Sequence, residues 1–131
     1  MLIYCTYCSA EKQSTKKPIP AIDLYQSTRI QDVHQMASKA NLPFFIFSGK
    51  HGLIAPHQAI AWYDHLLQKE AISTHAEFLA KQIHSLNISA IHFFSNFPEN
   101  DPNLHTYIDC ITAACESCNI PIQVFIQAFK D

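Results

Sequence analysis

Residues 44–56 read FFIFSGKHGLIAP. The first four residues are an apolar run without polar alternation, which is typical of a strand buried on both faces. The only two glycines of the chain, Gly49 and Gly52, follow directly and flank a lysine and a histidine. Glycine is needed where the backbone takes a positive φ or where another group approaches it closely. The stretch therefore indicates either a tight turn or a binding site at the end of a strand.

Apolar runs alternate with segments of helical apolar spacing on both sides of this stretch. Besides the run at 44–47, strands are predicted at 2–7, 89–94 and 122–129, and long helices start near residues 28, 74 and 104. This alternation predicts an α/β fold with three layers, αβα, around a small, mostly parallel sheet of about four strands.

Local signals predict the remaining boundaries. Thr28 with Gln31, and Thr74 with Glu77, stand at the spacing of capping boxes, so each pair should begin a helix. Polar residues and two prolines predict a long loop at 9–27, and the apolar spacing of 60–69 predicts a short helix.

The bulk composition limits the classes of function. The 131 residues fit one domain spanning 1–131, and 48% hydrophobic with 15% charged residues is globular. A formal net charge of -2 provides no global positive field, so any nucleic-acid contact needs a local patch. The apolar runs are too short for a membrane span, and the N-terminus lacks a signal-peptide pattern. We expect a cytoplasmic protein without a membrane partner, and the oligomeric state is left open.

Two chemically rich loops should meet at one edge of the sheet. Ligands of parallel sheets bind outside the carboxyl ends of the strands, where the stretches 8–12 and 48–51 both lie. The amides after the second strand could turn towards an anion, with Lys50 adding a charge and His51 an acid or base near neutral pH. The alternative is a tight turn whose Lys50 and His51 are solvated.

Two further polar groups have a structural and a functional interpretation. Asp23 and Tyr25 would point to opposite sides of an extended segment, so they could share a pocket only if the chain turned. Tyr63 and Asp64 begin the helix predicted at 60–69, where a carboxylate satisfies free amides and the helix dipole.

The cysteines raise the alternative of a zinc site. Cys5 with Cys8, and Cys115 with Cys118, form two CxxC pairs, the number that a tetrahedral site requires. Cys5 lies in a predicted strand, where residues three apart face opposite ways, and the second pair fits the apolar face of a helix. We therefore predict no metal and no cofactor, and an odd count of five cysteines favours reduced thiols. Cys8 is a candidate reactive thiol.

Four segments taken together resemble a family of small bacterial and phage domains of unknown function. They are CSAEK (8–12), PAIDLYQS (20–27), SGKHGL (48–53) and P-x3-I-x2-YD-x2-L (56–67). The family pattern runs CSxxK, PAxDLYxS, S(A/G)KHGL and PxxxIxxYDxxL. The set is also distantly similar to the peroxide-stress (YaaA-type) proteins, which are linked to DNA binding and to protecting DNA. After the third strand this chain has Ser95-Asn96 where such families tend to have a small-residue turn.

The resemblance implies a pocket built from these four segments. Its catalytic residues would be His51, Asp64 and Lys50. Its ligand-binding residues would be Cys8, Ser9, Lys12, Asp23, Tyr25, Ser27, Ser48, Gly49, Gly52 and Tyr63.

Two functions are open at this point. The first is an enzyme, or a degenerate one, that binds a small anionic or nucleotide-like ligand and processes a nucleotide, nucleoside or nucleic-acid base by hydrolysis or glycosyl transfer. The second is a non-catalytic DNA- or protein-binding module of stress or phage-defence type. The low basic content and the acidic segment 99–101 weaken direct binding to nucleic acid.

Overall fold

The computed structural model describes residues 1–130 as a mixed sheet with helices on both faces. Its strands are β1 (Leu2–Tyr7), β2 (Ile19–Pro20), β3 (Phe44–Ser48), β4 (Gly52–Ile54), β5 (Ala59–Ile60), β6 (Ala90–Ser95) and β7 (Ile122–Ile126). Its helices are α1 (Ala21–Leu24), α2 (Thr28–Lys39), α3 (Ile72–Ser85) and α4 (Asn103–Ser117), with a 3-10 turn at Lys69–Ala71. No helix within residues 1–130 is long and apolar enough to cross a membrane.

The main sheet has the strand order β4-β3-β1-β6-β7. β1 is central, and it pairs in parallel with β3 and with β6, which in turn pairs in parallel with β7. β4 runs antiparallel to β3. The predicted α/β fold with a mostly parallel sheet is confirmed. There are five strands where about four were predicted, because the residues after the glycine turn fold back along β3 as β4.

Helices cover both faces of the sheet, as the three-layer prediction requires. One apolar cluster joins the sheet to α3 and α4 through buried residues that include Ile3, Cys5, Phe47, Phe93, Leu79, Ile83, Ile111 and Cys115. The other joins the opposite face to α1 and α2 and includes Phe44, Ile46, Phe94, Leu24, Ile30, Val33 and Ala37. β3 is buried along its whole length, as its unbroken apolar run predicts.

α2 begins at Thr28, as predicted, although Thr28 is not its cap, whereas α3 begins before its predicted start. Ser27 caps α2, because its hydroxyl accepts a hydrogen bond from the amide of Ile30 at 3.2 Å. α3 begins at Ile72, directly after the 3-10 turn, and no side chain caps it. Thr74 therefore lies inside the first turn of α3. The 3-10 turn at Lys69–Ala71 runs directly into α3, so the helix begins without a capping side chain.

Two other predicted segments are wrong. The loop predicted at 9–27 contains β2 and α1, and β2 pairs antiparallel with β5. The helix predicted at 60–69 does not form, and residues 61–68 have no regular secondary structure. In that segment the amide of Leu67 donates to the phenol oxygen of Tyr107 at 3.2 Å instead of to a carbonyl one turn earlier. Contacts with distant elements therefore replace the hydrogen bonds of a helix.

Candidate functional site

The glycine stretch forms a tight hairpin turn between β3 and β4. Ser48, paired with Gly52 across the hairpin, is fully buried. Its hydroxyl oxygen accepts hydrogen bonds from the amides of Lys50 at 3.1 Å and His51 at 3.0 Å. Two of the amides predicted to face an anion are thus occupied inside the loop. The segment is therefore a tight turn, and these two amides bond the serine of their own loop.

Each glycine has its own structural reason. Gly52 has a φ of 70°, in the left-handed region, and a Cβ there would lie 2.3 Å from Oε1 of Gln82. A Cβ on Gly49 would lie 3.0 Å from the backbone nitrogen of Leu67 and from the hydroxyl of Tyr107. The turn therefore packs closely against residues 61–68, α3 and α4, and a Cβ at either position would require its neighbours to shift.

A buried pair of tyrosines connects this turn to the segment 20–27. The phenol oxygens of Tyr25 and Tyr63 share a hydrogen bond, and Tyr63 also bonds the hydroxyl of Ser48 at 2.7 Å. Burial raises the pKa of both phenols, and the nearby thiol of Cys8 adds to this effect. Both phenols are therefore neutral at physiological pH. They join three loops through hydrogen bonds in which no charge is buried.

Cations gather around the ring of Tyr63. Nζ of Lys12 lies 4.6 Å from its centre, and Nζ of Lys50 lies 5.6 Å away. The imidazole of His51 meets the same ring edge-on, with 4.9 Å between centroids. Partial burial lowers the pKa of His51, and the charge of Lys50 lowers it further. The imidazole is consequently neutral at physiological pH, the form that accepts a proton.

Cys8 lies at the carboxyl end of β1, where its thiol faces α4. Its sulfur is 3.9 Å from the hydroxyl of Tyr107, and the phenol oxygen also accepts the amide of Leu67. Burial raises the pKa of Tyr107, and proximity to Cys8 raises it further. Cys8, which follows β1, and Leu67 thus both contact the buried phenol of Tyr107.

Arg29 closes the same end of β1, and sequence reasoning missed it. Its side chain is fully buried and donates to Oγ1 of Thr6 at 2.7 Å and to the carbonyl of Tyr7 at 2.6 Å. It also donates to the carbonyl of Cys8 at 3.4 Å, and its guanidinium lies 3.5 Å from the centre of the Tyr7 ring. The one signal for it in the sequence is its spacing, since Arg29 lies four residues before Val33 and thus on the apolar face of α2.

A cleft of about 440 Å³ opens above these residues at the carboxyl end of β1. Cys8, Ser9, Lys12 and Asp64, four of the predicted site residues, line it. Among the lining residues that were not predicted as site residues are the charged or polar Glu11, Gln26, Arg29, His65, Asp101, Asn103 and Tyr107. Lys12 and Asp64 come from two separate loops, so the fold brings together the first and the fourth of the four segments.

The remaining predicted residues lie elsewhere. Asp23, Tyr25 and Ser27 line a second cleft of about 690 Å³ beside the start of α2. Lys50 and His51 are not among the residues that line either cleft. Lys50 is exposed, and His51 is half-buried against Tyr63. The predicted site is therefore divided, with the tyrosine pair between its parts.

Ser95 and Asn96, at the end of β6, do not line the cleft. Ser95 donates to the carbonyl of Asn96 at 2.8 Å, and the side-chain oxygen of Asn96 accepts the amide of Phe129 at 2.7 Å. These residues fasten the end of β6 to the segment that follows β7. Ser95 and Asn96, which stand where a small-residue turn was expected, thus have a local structural role.

The five cysteines are free thiols. Cys5 and Cys115 are buried in the cluster beneath α3 and α4, while Cys118 donates to the carbonyl of Ala80 at 3.3 Å. Burial raises the pKa of Cys115 to about 12, so the free thiol is protonated at physiological pH. Within residues 1–130, no group of three or more His, Cys, Asp or Glu side chains is placed to hold a metal ion. The CxxC spacing reflects core packing.

Residues 3–95 match the model of a family of unknown function, DUF6884. The chain belongs to this family. The match extends from β1 to the end of β6 and includes every predicted site residue, whereas α4 and β7 lie beyond it. Membership confirms the resemblance to a family of unknown function, and the likeness to the peroxide-stress proteins stays a resemblance of motifs. No curated protein and no solved structure matches the chain.

Proposed function

We propose that this DUF6884 protein binds a nucleotide, nucleoside or nucleic-acid base in the cleft beyond β1, with Asp64 as the acid or base of a reaction on that ligand. The observation that carries the proposal is the convergence of Lys12 and Asp64 on one cleft of about 440 Å³. This volume falls within the range of about 300–1,000 Å³ that small-molecule pockets occupy. A carboxylate and an ammonium at one pocket supply both an acceptor and a donor.

The charges of the cleft favour a ligand with little negative charge. Three carboxylates, those of Glu11, Asp64 and Asp101, line it against two cations, Lys12 and Arg29, and Arg29 is fully buried and bonded to β1. Carboxylates accept hydrogen bonds but repel phosphates. The amino groups of a base and the hydroxyls of a ribose are suitable donors to these carboxylates. A nucleoside or a free base therefore fits better than a nucleotide, and a polyphosphate fits least.

A thermal-shift panel tests this assignment. The panel contains free bases, nucleosides, nucleoside monophosphates and inorganic phosphate, and we expect a nucleoside or base to raise Tm by several degrees at saturating concentration. Lys12→Gln and Asp64→Asn should each abolish the shift.

Two control variants keep the test specific. Lys17→Gln changes an exposed lysine of the same loop, and Asp23→Asn changes a carboxylate of the second cleft. Both should keep the shift. If no compound of the panel stabilises the protein, or if the shift survives in both Lys12→Gln and Asp64→Asn, the proposal is wrong.

A non-catalytic binding module for DNA or a protein partner is the second candidate. The observation in its favour is that Ser48, Tyr25 and Tyr63 are buried and bonded to one another, and so connect the loops to the sheet. Turnover of a stabilising compound would show that the protein is an enzyme. Binding to duplex DNA in gel shifts at low salt, without any stabilising small molecule, would select the module.

A further inference from the structure

The outer edge of β7 carries unpaired backbone groups. In the described part of the chain, β7 lies at the end of the sheet and pairs with β6 alone. The amide of Gln127 donates to the carbonyl of Ser95, and the carbonyl of Pro121 accepts the amide of Ile91. Because the backbone direction alternates along a strand, Gln123 and Phe125 also face β6. The amides and carbonyls of residues 122, 124 and 126 therefore point away from the sheet.

The opposite edge of the sheet, at β4, is protected by a side chain of α3. At the β4 edge, Leu53 has an outward amide, which donates to Oε1 of Gln82 at 2.8 Å. Nε2 of Gln82 donates back to the carbonyl of Leu53 at 3.3 Å. One side chain of α3 thus satisfies both outward groups of Leu53. No corresponding hydrogen bond to the outward groups of β7 is found within residues 1–130.

The sequence around β7 also lacks the usual protection of a free edge. Residues 120–129 read IPIQVFIQAF and contain no charged residue. Exposed edge strands are normally blocked by lysine, by an internal proline or by a bulge, because they otherwise pair with other strands. Here the single proline, Pro121, precedes the strand. Ile126 is 44% exposed at its end.

We propose that β7 pairs antiparallel with β7 of a second copy of this chain, with the two-fold axis at Val124. In this register Ile122 faces the partner's Ile126, and Val124 faces the partner's Val124. Each opposed pair has outward backbone groups on both strands, so it exchanges both of its N–H···O bonds. The two sheets become one continuous sheet, and an antiparallel pairing at the edge of a mostly parallel sheet is common.

The side chains of the strand suit its own copy. Ile122, Val124 and Ile126 share one face, so the pairing places branched apolar side chains opposite one another and covers the exposed Ile126. Such cross-strand pairs stabilise a sheet, and no like charges meet across the axis. A partner strand with charged residues on its edge would form less stable cross-strand pairs with β7. The proposal is independent of the proposed function, because β7 lies apart from the cleft beyond β1.

Sedimentation measurements from low to high micromolar protein test the pairing. The wild type should be dimeric, and Ile126→Lys and Val124→Pro should both be monomeric or dimerise at least about tenfold more weakly, the change expected from one or two lost cross-strand pairs. Proline at 124 removes an outward amide, so the bonds to β6 are kept. The control Leu86→Lys charges an exposed apolar residue at the end of α3 and should stay dimeric. Circular dichroism confirms that each variant is folded.

Amide hydrogen exchange gives an independent measurement. In the dimer the amides of 122, 124 and 126 should be protected, whereas in folded Ile126→Lys only those of 123, 125 and 127 should be. The proposal is overturned if the wild type is monomeric at high micromolar concentration, or if both edge variants dimerise like the wild type. A dimer in which Val124 exchanges as fast as in Ile126→Lys would also overturn it.

Discussion

At the scale of single residues, the fold uses small and polar groups to close the carboxyl end of the sheet. Ser48 satisfies the amides of its own turn, and Gly49 lets Leu67 and Tyr107 approach the backbone. Arg29 bonds the carbonyls of Tyr7 and Cys8, where β1 ends, from within the core. Ser48 and Gly49 thus have structural roles in the turn, while Lys12 and Asp64 line the open cleft nearby.

Gly52→Ala should destabilise the protein by about 1–3 kcal/mol, since a non-glycine residue would be held at positive φ. The new Cβ would also meet Oε1 of Gln82 at 2.3 Å and Cε2 of Phe78 at 2.9 Å. Urea unfolding measures the change in the free energy of unfolding. The control is Asn87→Gly, because Asn87 has a φ of 57° that glycine adopts freely, and it should be neutral or slightly stabilising. Equal stability of Gly52→Ala and wild type would contradict the prediction.

At the scale of elements, residues 61–68 show how a local pattern can mislead. Tyr63 and Leu67 are four apart and buried, which is the spacing of one helical face. The segment is instead held by hydrogen bonds to Ser48 of β3, to Tyr107 of α4 and to Tyr25, which follows α1. Periodicity detects which side chains are buried, but a nonhelical segment that buries the same two residues gives the same pattern.

Tyr63→Phe should cost about 1–3 kcal/mol, because it leaves the buried hydroxyls of Ser48 and Tyr25 without their shared partner. We also expect faster amide exchange and faster proteolysis across residues 61–68, since one of the bonds that hold this segment is lost. Tyr4→Phe is the control, as Tyr4 is half-buried on the sheet face near His92 and Phe94. If both variants have the same stability and exchange, the hydroxyl of Tyr63 does not hold the segment.

At the scale of the whole molecule, the two apolar clusters lie on opposite faces of the same strands. Alternate residues of β1 and β3 contribute to one cluster or the other, so neither cluster can be lost while the sheet stays intact. We propose on this basis that residues 1–131 form a single α/β domain.

A single domain should unfold in urea as one cooperative transition. The midpoint from far-UV circular dichroism, which follows the helices, should equal the midpoint from near-UV signals of the buried tyrosines. Two separated midpoints would show that the α1–α2 layer and the α3–α4 layer unfold independently.

The sequence by itself determined the order of the three long helices and of strands β1, β3, β6 and β7, the parallel character of the sheet and the loops that meet at its edge. These features follow from apolar periodicity and from the rule that parallel strands end at a common edge. Only the tertiary structure decided that Lys12 and Asp64 share a cleft, that the amides after Ser48 are occupied and that Arg29 is buried. The physical reason is competition for hydrogen-bond partners. Polar groups bond whichever partner the packed elements bring within reach, and these partners lie far away in the sequence.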